Sequence, residues 1–341
     1  MKILKVLIFL VIAGLAVSCS KKETVDPLSK YFSPKEQIYT IDPSISNTIT
    51  GNKGTRLTIP EKAFDLDYEK LNSCDKVKIK LTEVIDNFDF ASSGVNLDYE
   101  LDGEVVPFES AGMFKVNAEL NNKTIKLMKD VKITVQFPNV VPGEKFNVYK
   151  MNSKGKWEYD GHNQEAYAQD APKEGRNWRR ECEGNCEERV EKIYIKEVQI
   201  RKYLINELTW WNFDYPEKIY VCLKGSVDAH ADKYISVYVI GISKKGHYHQ
   251  YIKGNSFTVN AFMNTEVKVV VITEDDKIGL VKSIKTGNRY GNSKKPEGPH
   301  NYYNNIGEIR LEKMNEKMKS SREEFMKFLE MKDEKYKVKY L

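Results

Sequence analysis

Histidine and cysteine are scarce in this chain, five of each in 341 residues, so imidazole catalysis and thiolate metal binding have few places to reside. No Gly-rich phosphate loop, nucleophile elbow, zinc-protease helix motif or EF-hand loop occurs, which removes the usual sequence signals for those chemistries. No cofactor is expected, and the chain is read as a non-enzyme. An excess of one charge is also lacking. Fifty-four Lys and Arg stand against 49 Asp and Glu, a formal charge of +5 that becomes +3 without Lys2 and Lys5. That is too small and too dispersed for a nucleic-acid footprint. The acidic residues form no pair placed to split their pKa values, and Asp275-Asp276 reads as a solvated turn. Long hydrophobic runs are absent downstream of the start, where Val6–Val17 spans only twelve residues. A bilayer needs about 20.

That short run lies between Lys2 and Lys5 on one side and polar Ser20-Lys21-Lys22 on the other, a secretory signal pattern. It ends in Leu15-Ala16-Val17-Ser18-Cys19, which resembles the lipobox of bacterial lipoproteins. The resemblance implies cleavage after residue 18 and lipidation of Cys19. An ordinary secreted protein and an uncleaved anchor are the alternatives. With two or three acyl chains the anchor would be stable, whereas one chain holds only marginally. The chain is therefore expected at the cell envelope, membrane-attached. Ser20 after the cysteine points to the outer membrane by the sorting rule of some bacteria.

Export places the remaining cysteines in an oxidising compartment. Cys182 and Cys186 flank the turn signal Gly184-Asn185 and are expected to form a disulfide, with free thiols or a metal as alternatives. The pairing of Cys74 with Cys222 is left open.

Residues 19–47 carry no sustained periodicity and read as a flexible tether. Period-two alternation then begins. Val77–Val84, Phe114–Leu120 and Val131–Phe137 each set apolar residues on one face, separated by Gly, Asn and Pro turns. Residues 48–160 are expected to form a β-sandwich. Within them Gly54-Thr55, Ile59-Pro60, Ala63-Phe64, Val77–Glu83 and Ser110-Ala111-Gly112-Met113-Phe114 resemble the domain shared by zonula occludens scaffolds and netrin receptors. The resemblance implies a sandwich used for protein contacts. Some relatives of that kind cleave themselves at a His-Phe-Ser sequence. Here Pro107-Phe108-Glu109-Ser110 lacks the imidazole base, and self-cleavage is not expected.

A polar linker is expected over 161–191 and a second sandwich, Ig-like or regulatory-like, over 192–311. Gly225, followed by Gly254-Asn255-Ser256-Phe257-Thr258-Val259, is similar to the regulatory sandwich appended to carboxypeptidases. From 312 to 341 Met314, Met318, Phe325 and Leu329 recur at helical spacing, predicting an amphipathic helix with a tail. The fold class is thus all-β, two antiparallel sandwiches in tandem with a short C-terminal helix.

Two clusters are candidate sites. Thr209-Trp210-Trp211-Asn212-Phe213-Asp214-Tyr215 is the densest aromatic stretch. Adjacent strand residues face opposite ways, so one tryptophan is expected inside and the other over a domain junction. A glycan platform or a protein hot spot using Trp210, Trp211 and Tyr215 is the alternative. Asp228, His230 and Asp232, with His247 and His249, would supply oxygen and nitrogen ligands to a transition metal if they converged. The simpler reading is two polar loops. The expected role is non-catalytic binding or structural, with an envelope protein as partner, a glycan as the first alternative, and a metal-assisted hydrolytic role as the second.

Overall fold

The computed structural model describes residues 26–139, 146–160, 196–216, 220–230, 232–287, 303–332 and 336–338. The signal segment, Cys19 and the Cys182–Cys186 loop lie outside these residues. Cys74 and Cys222 are both free thiols, the first exposed and the second buried.

The chain begins with helix α1 (Pro27–Phe32) and strands β1 (Gln37–Ile41), β2 (Asn47–Thr50), β3 (Arg56–Ile59) and β4 (Val77–Val84). Helix α2 (Asn87–Ser92), β5 (Asp98–Leu101), the long β6 (Glu104–Leu120) and β7 (Lys123–Thr124) follow. Then come β8 (Ile133–Asn139), β9 (Asn147–Met151), β10 (Trp157–Tyr159), β11 (Lys196–Ile205) and β12 (Trp210–Pro216). One sheet runs β1-β4-β6-β12-β9-β10, and its partner sheet runs β2-β3-β8-β11. Between them Leu57, Ile79, Leu81, Phe114, Val135, Phe137, Trp211 and Phe213 form a closed core. They are the apolar positions of the alternating runs, so binary patterning built this sandwich.

Two expectations change here. Strands β11 and β12 were expected to open the second sandwich at residue 192. They instead pair antiparallel with β8 and with β6 and β9, so they complete the first sandwich. β12 is buried on both faces from Trp211 to Asp214, and neither its aromatic run nor the apolar positions of β11 say which sheet a strand joins. The tether expected through residue 47 is folded from Asp26 onward. Asp26 caps α1 by accepting from Ser29 N at 2.8 Å, Leu28 and Phe32 are buried, and β1 zips to β4.

The second sandwich starts at β13 (Tyr220–Val227) and continues with β14 (Tyr234–Gly241), β15 (His247–Lys253), β16 (Ser256–Phe262), β17 (Glu266–Thr273) and β18 (Lys277–Lys285). Strands β19 (Tyr303–Ile309) and β20 (Glu312–Lys313) close it. Its sheets run β16-β13-β19 and β15-β14-β17-β18-β20 around Leu223, Val237, Val239, Phe262, Val269 and Val271. The C-terminal segment forms two short helices, α3 (Glu316–Ser320) and α4 (Arg322–Phe328), rather than one. Ser321 interrupts them with an extended backbone and caps α4 by accepting from Glu324 N. Finally β21 (Tyr336–Val338) returns to pair parallel with β11 in the first sandwich.

A third apolar cluster joins the halves. Leu28, Phe32, Phe88 and Ala91 come from the first sandwich side, Tyr238, Ile240, Val270 and Ile272 from the second, and Met314, Met318, Phe325 and Leu329 from the C-terminal helices. Asn87 straddles the seam, donating to Gly241 O at 2.7 Å and accepting from Gly246 N at 3.1 Å. Gly246 lies at φ 130°, and an added Cβ there would meet Phe108 O at 3.1 Å. The seam therefore requires glycine at that point.

Candidate functional site

Two polar constellations lie at the seam. The first is a cleft of about 260 Å³ between the edge strands β15 and β16 and the segment entering β5. His247 and His249 line it from β15, Thr258 and Asn260 from β16, and Asn96 and Asp98 from the first sandwich. The Trp157 indole N–H donates to Asn96 O at 2.7 Å and holds that third wall in place. Asn96 in turn accepts from Asp98 N at 3.0 Å.

His247 is buried, 7% exposed, and its Nδ1 has no hydrogen-bond partner. Burial, with the neighbouring His249 ring as a smaller contribution, depresses its pKa to about 3, so it stays neutral near pH 7. The His249 ring stacks on Tyr238 with centroids 4.4 Å apart. Its Nδ1 lies 3.4 Å from Asp26 Oδ2, the helix-capping carboxylate. Burial also lowers His249, against the opposing pull of Asp26 and Asp98. Asp98 is raised, chiefly by desolvation. On the β16 side Asn260 Oδ1 accepts from the buried Cys222 thiol at 3.7 Å. The cleft thus offers neutral donors and acceptors, one carboxyl group and no lysine or arginine among its lining residues.

The second constellation is a clasp of charges. Asp86 caps α2 in a reciprocal box with Asp89. Lys53 Nζ bonds Asp86 Oδ2 at 2.8 Å and also pairs with Asp89. Arg322 of α4 bonds Asp86 Oδ2 at 3.0 Å and Asp89 Oδ1 at 3.1 Å, and its guanidinium lies 4.6 Å from the Phe88 ring centroid. Both carboxylates are nearly inaccessible, at 4% and 2% side-chain exposure. Burial opposes charge on Asp86, but Lys53 and Arg322 outweigh it and hold that carboxyl below the usual range. Burial and the Asp86 charge push Asp89 up to about 6. Chemically this is a two-plus-two ion cluster that fixes the C-terminal helices to the first sandwich.

The predicted site residues are dispersed. Trp211 is wholly buried in the first core, with its indole N–H donating to Glu207 O at 3.1 Å. Trp210 lies on the opposite face of the sheet, half-buried against Phe108, Tyr149 and Trp157, with Lys115 Nζ 5.7 Å from its ring. It covers an outer layer of the first sandwich rather than the expected domain junction, because β12 belongs to that sandwich. Tyr215 is 54% exposed. Asp228 Oδ1 accepts from Leu311 N at 2.8 Å and so fixes the strand end; His230 and Asp232 are exposed in the same loop. The register Tyr234↔Lys253, Ile240↔His247 sets that loop at the far end of the hairpin from His247. Six strand residues, about 20 Å, separate those ends. Among the described residues no group of three or more His, Cys, Asp or Glu is placed to hold a metal ion. Asp275-Asp276 is not simply solvated, since Asp276 accepts from Tyr31 OH at 2.7 Å and pairs with Lys319 at 2.9 Å.

Sequence reading passed over Lys53, Asp86, Asp89 and Arg322, and also Asn96 and Asp98. Only Asp86-Asn87-Phe88-Asp89 carried a signal, the spacing of a capping box before an apolar run. In comparisons with known proteins, no family model matches this chain and no curated protein resembles it significantly.

Proposed function

We propose that this chain is a lipid-anchored cell-envelope protein with a non-catalytic binding or structural role, attached through Cys19 to the outer membrane and contacting an envelope protein. The observation that carries the reading is the signal-like run ending in Leu15-Ala16-Val17-Ser18-Cys19, and the position of α1 sets what an anchor there would hold. The first seam-core residue of α1, Leu28, lies nine residues after Cys19, so the intervening chain reaches at most about 32 Å. A lipid on Cys19 would hold both sandwiches close to the membrane at their junction. The likeness of Gly54-Thr55 through Phe114 to scaffold domains supports protein contact as the role, with exposed edges and loops as the contacting parts.

The test is metabolic labelling with a palmitate analogue of the full chain and of Cys19→Ala, followed by membrane fractionation and cross-linking. The expected result is label and membrane sedimentation for the native chain, both lost in Cys19→Ala together with one cross-linked envelope protein. Absence of label from the native chain would remove the anchor.

A further inference from the structure

We infer that the cleft between β15, β16 and the Asn96–Asp98 segment is a binding site for a neutral, hydroxyl-rich ligand of the size of one sugar ring. The inference rests on the binding role proposed above but not on the anchor. Three observations lead to it. His247 is one of the residues lining the cleft, and its buried Nδ1 has no partner in the protein, so the protein itself leaves this imidazole incompletely hydrogen-bonded. The imidazole is held neutral, so it presents one donor and one acceptor rather than a cation. Around it, the Asn96 and Asn260 amides and the Thr258 hydroxyl each combine donor and acceptor functions.

Charge selects against other small ligands. No lysine or arginine lines the cleft, and Asp98 would repel an anion. An organic cation would call for an aromatic cage. Besides the two imidazoles the lining has one aromatic ring, Tyr248, which packs against Phe262 in the second core, and no such cage. A ring bearing several hydroxyls matches a surface of paired donors and acceptors, each hydroxyl both giving and taking a hydrogen bond. The volume of about 260 Å³ lies below the ~300–1,000 Å³ of pockets that enclose drug-sized molecules, which suits one ring and not a chain. Trp211 is inside the core, so no platform of two adjacent tryptophans is open to a sugar.

The experiment is saturation-transfer NMR on the full chain, in micelles of a detergent without a sugar headgroup. Glucose, galactose, mannose, N-acetylglucosamine and inorganic phosphate serve as millimolar probes. The expected result is transfer to at least one sugar and none to phosphate. Affinity should fall at least tenfold in His247→Phe and in Asn260→Leu, and stay unchanged in Trp210→Ala. Asn260→Leu provides the check should His247→Phe fail to fold, as judged by its melting curve. Transfer to no sugar from the folded native chain would overturn the proposal. So would transfer to phosphate alone, or sugar binding that survives Asn260→Leu or disappears with Trp210→Ala. Palmitate labelling reads the anchor separately, so loss of one result leaves the other standing.

Discussion

His247 carries its consequence in a single side chain. Its folded pKa of about 3 lies below the 6.5 of an exposed imidazole, so the unfolded chain takes up a proton that the folded chain refuses. The neutral ring's contribution is therefore fully present above pH 6.5 and is lost as pH falls towards 3. Between pH 6.5 and 4.5 this one group should remove about 2–3 kcal/mol of stability. Denaturant midpoints for the native chain and His247→Gln should converge across that interval, and parallel profiles would mean the ring is already protonated in the folded state. The adjacent tryptophans separate by face in the same way. Trp211→Ala empties a closed core position and should cost about 3–5 kcal/mol. Trp210→Ala uncovers a half-buried ring and should cost about 1 kcal/mol in the same titration.

At the scale of elements, α2 depends on two carboxylates that the clasp treats differently. Asp86 is lowered, so its contribution is present above the ordinary carboxylate range and is lost on acidification. Asp89 is raised, so its contribution is present below that range and is lost as pH rises through about 6. At pH 7.5 Asp86→Asn should thus cost about 3 kcal/mol, since it removes the acid that Lys53 and Arg322 hold ionised and leaves both cations to the acid that burial disfavours as a charge. Asp89→Asn should cost under about 1 kcal/mol, because the charge it removes is the one burial disfavours. Equal losses, read from thermal melts at that pH, would show that the two acids share the charge evenly. The same segment shows where sequence was informative. The run Val77–Leu81 was legible because one face is buried and the other is open to water, which writes period two into the chain, although Thr82 and Glu83 beyond it are buried too. Helix α2 was not, since all six of its residues are buried and no amphipathic period survives. Strand β15 was hidden because His247 and His249 line the cleft, and the one ring it sends into the second core, Tyr248, is a polar-tipped tyrosine rather than an aliphatic residue. Asp98 and His247 lie about 150 positions apart, and only tertiary pairing brings them to one cleft.

For the whole molecule the question is whether two sandwiches behave as one. Tandem domains with a modest polar interface move independently by default. Here the seam is apolar and three-sided. Phe88 of α2 packs 5.7 Å from Phe325 of α4, Phe325 lies 4.6 Å from Phe32 of α1, and all three rest on Tyr238, Ile240, Val270 and Ile272. Neither sandwich supplies that cluster alone, because the helices covering it come from both ends of the described chain. Unfolding one half would expose Phe88 or Tyr238 and strand the buried carboxylates of the clasp, so the halves should lose structure together. The native chain should accordingly melt in a single calorimetric transition whose van't Hoff and calorimetric enthalpies agree. Phe325→Ala removes the ring shared by α1 and α2 and should cost about 3–5 kcal/mol. Because that cost falls on the seam and leaves both sandwich cores intact, the variant should melt in two resolved steps. A single transition merely shifted down in temperature would place the coupling elsewhere, in the Asn87 bridge to Gly241 and Gly246 or in the return of β21 to β11.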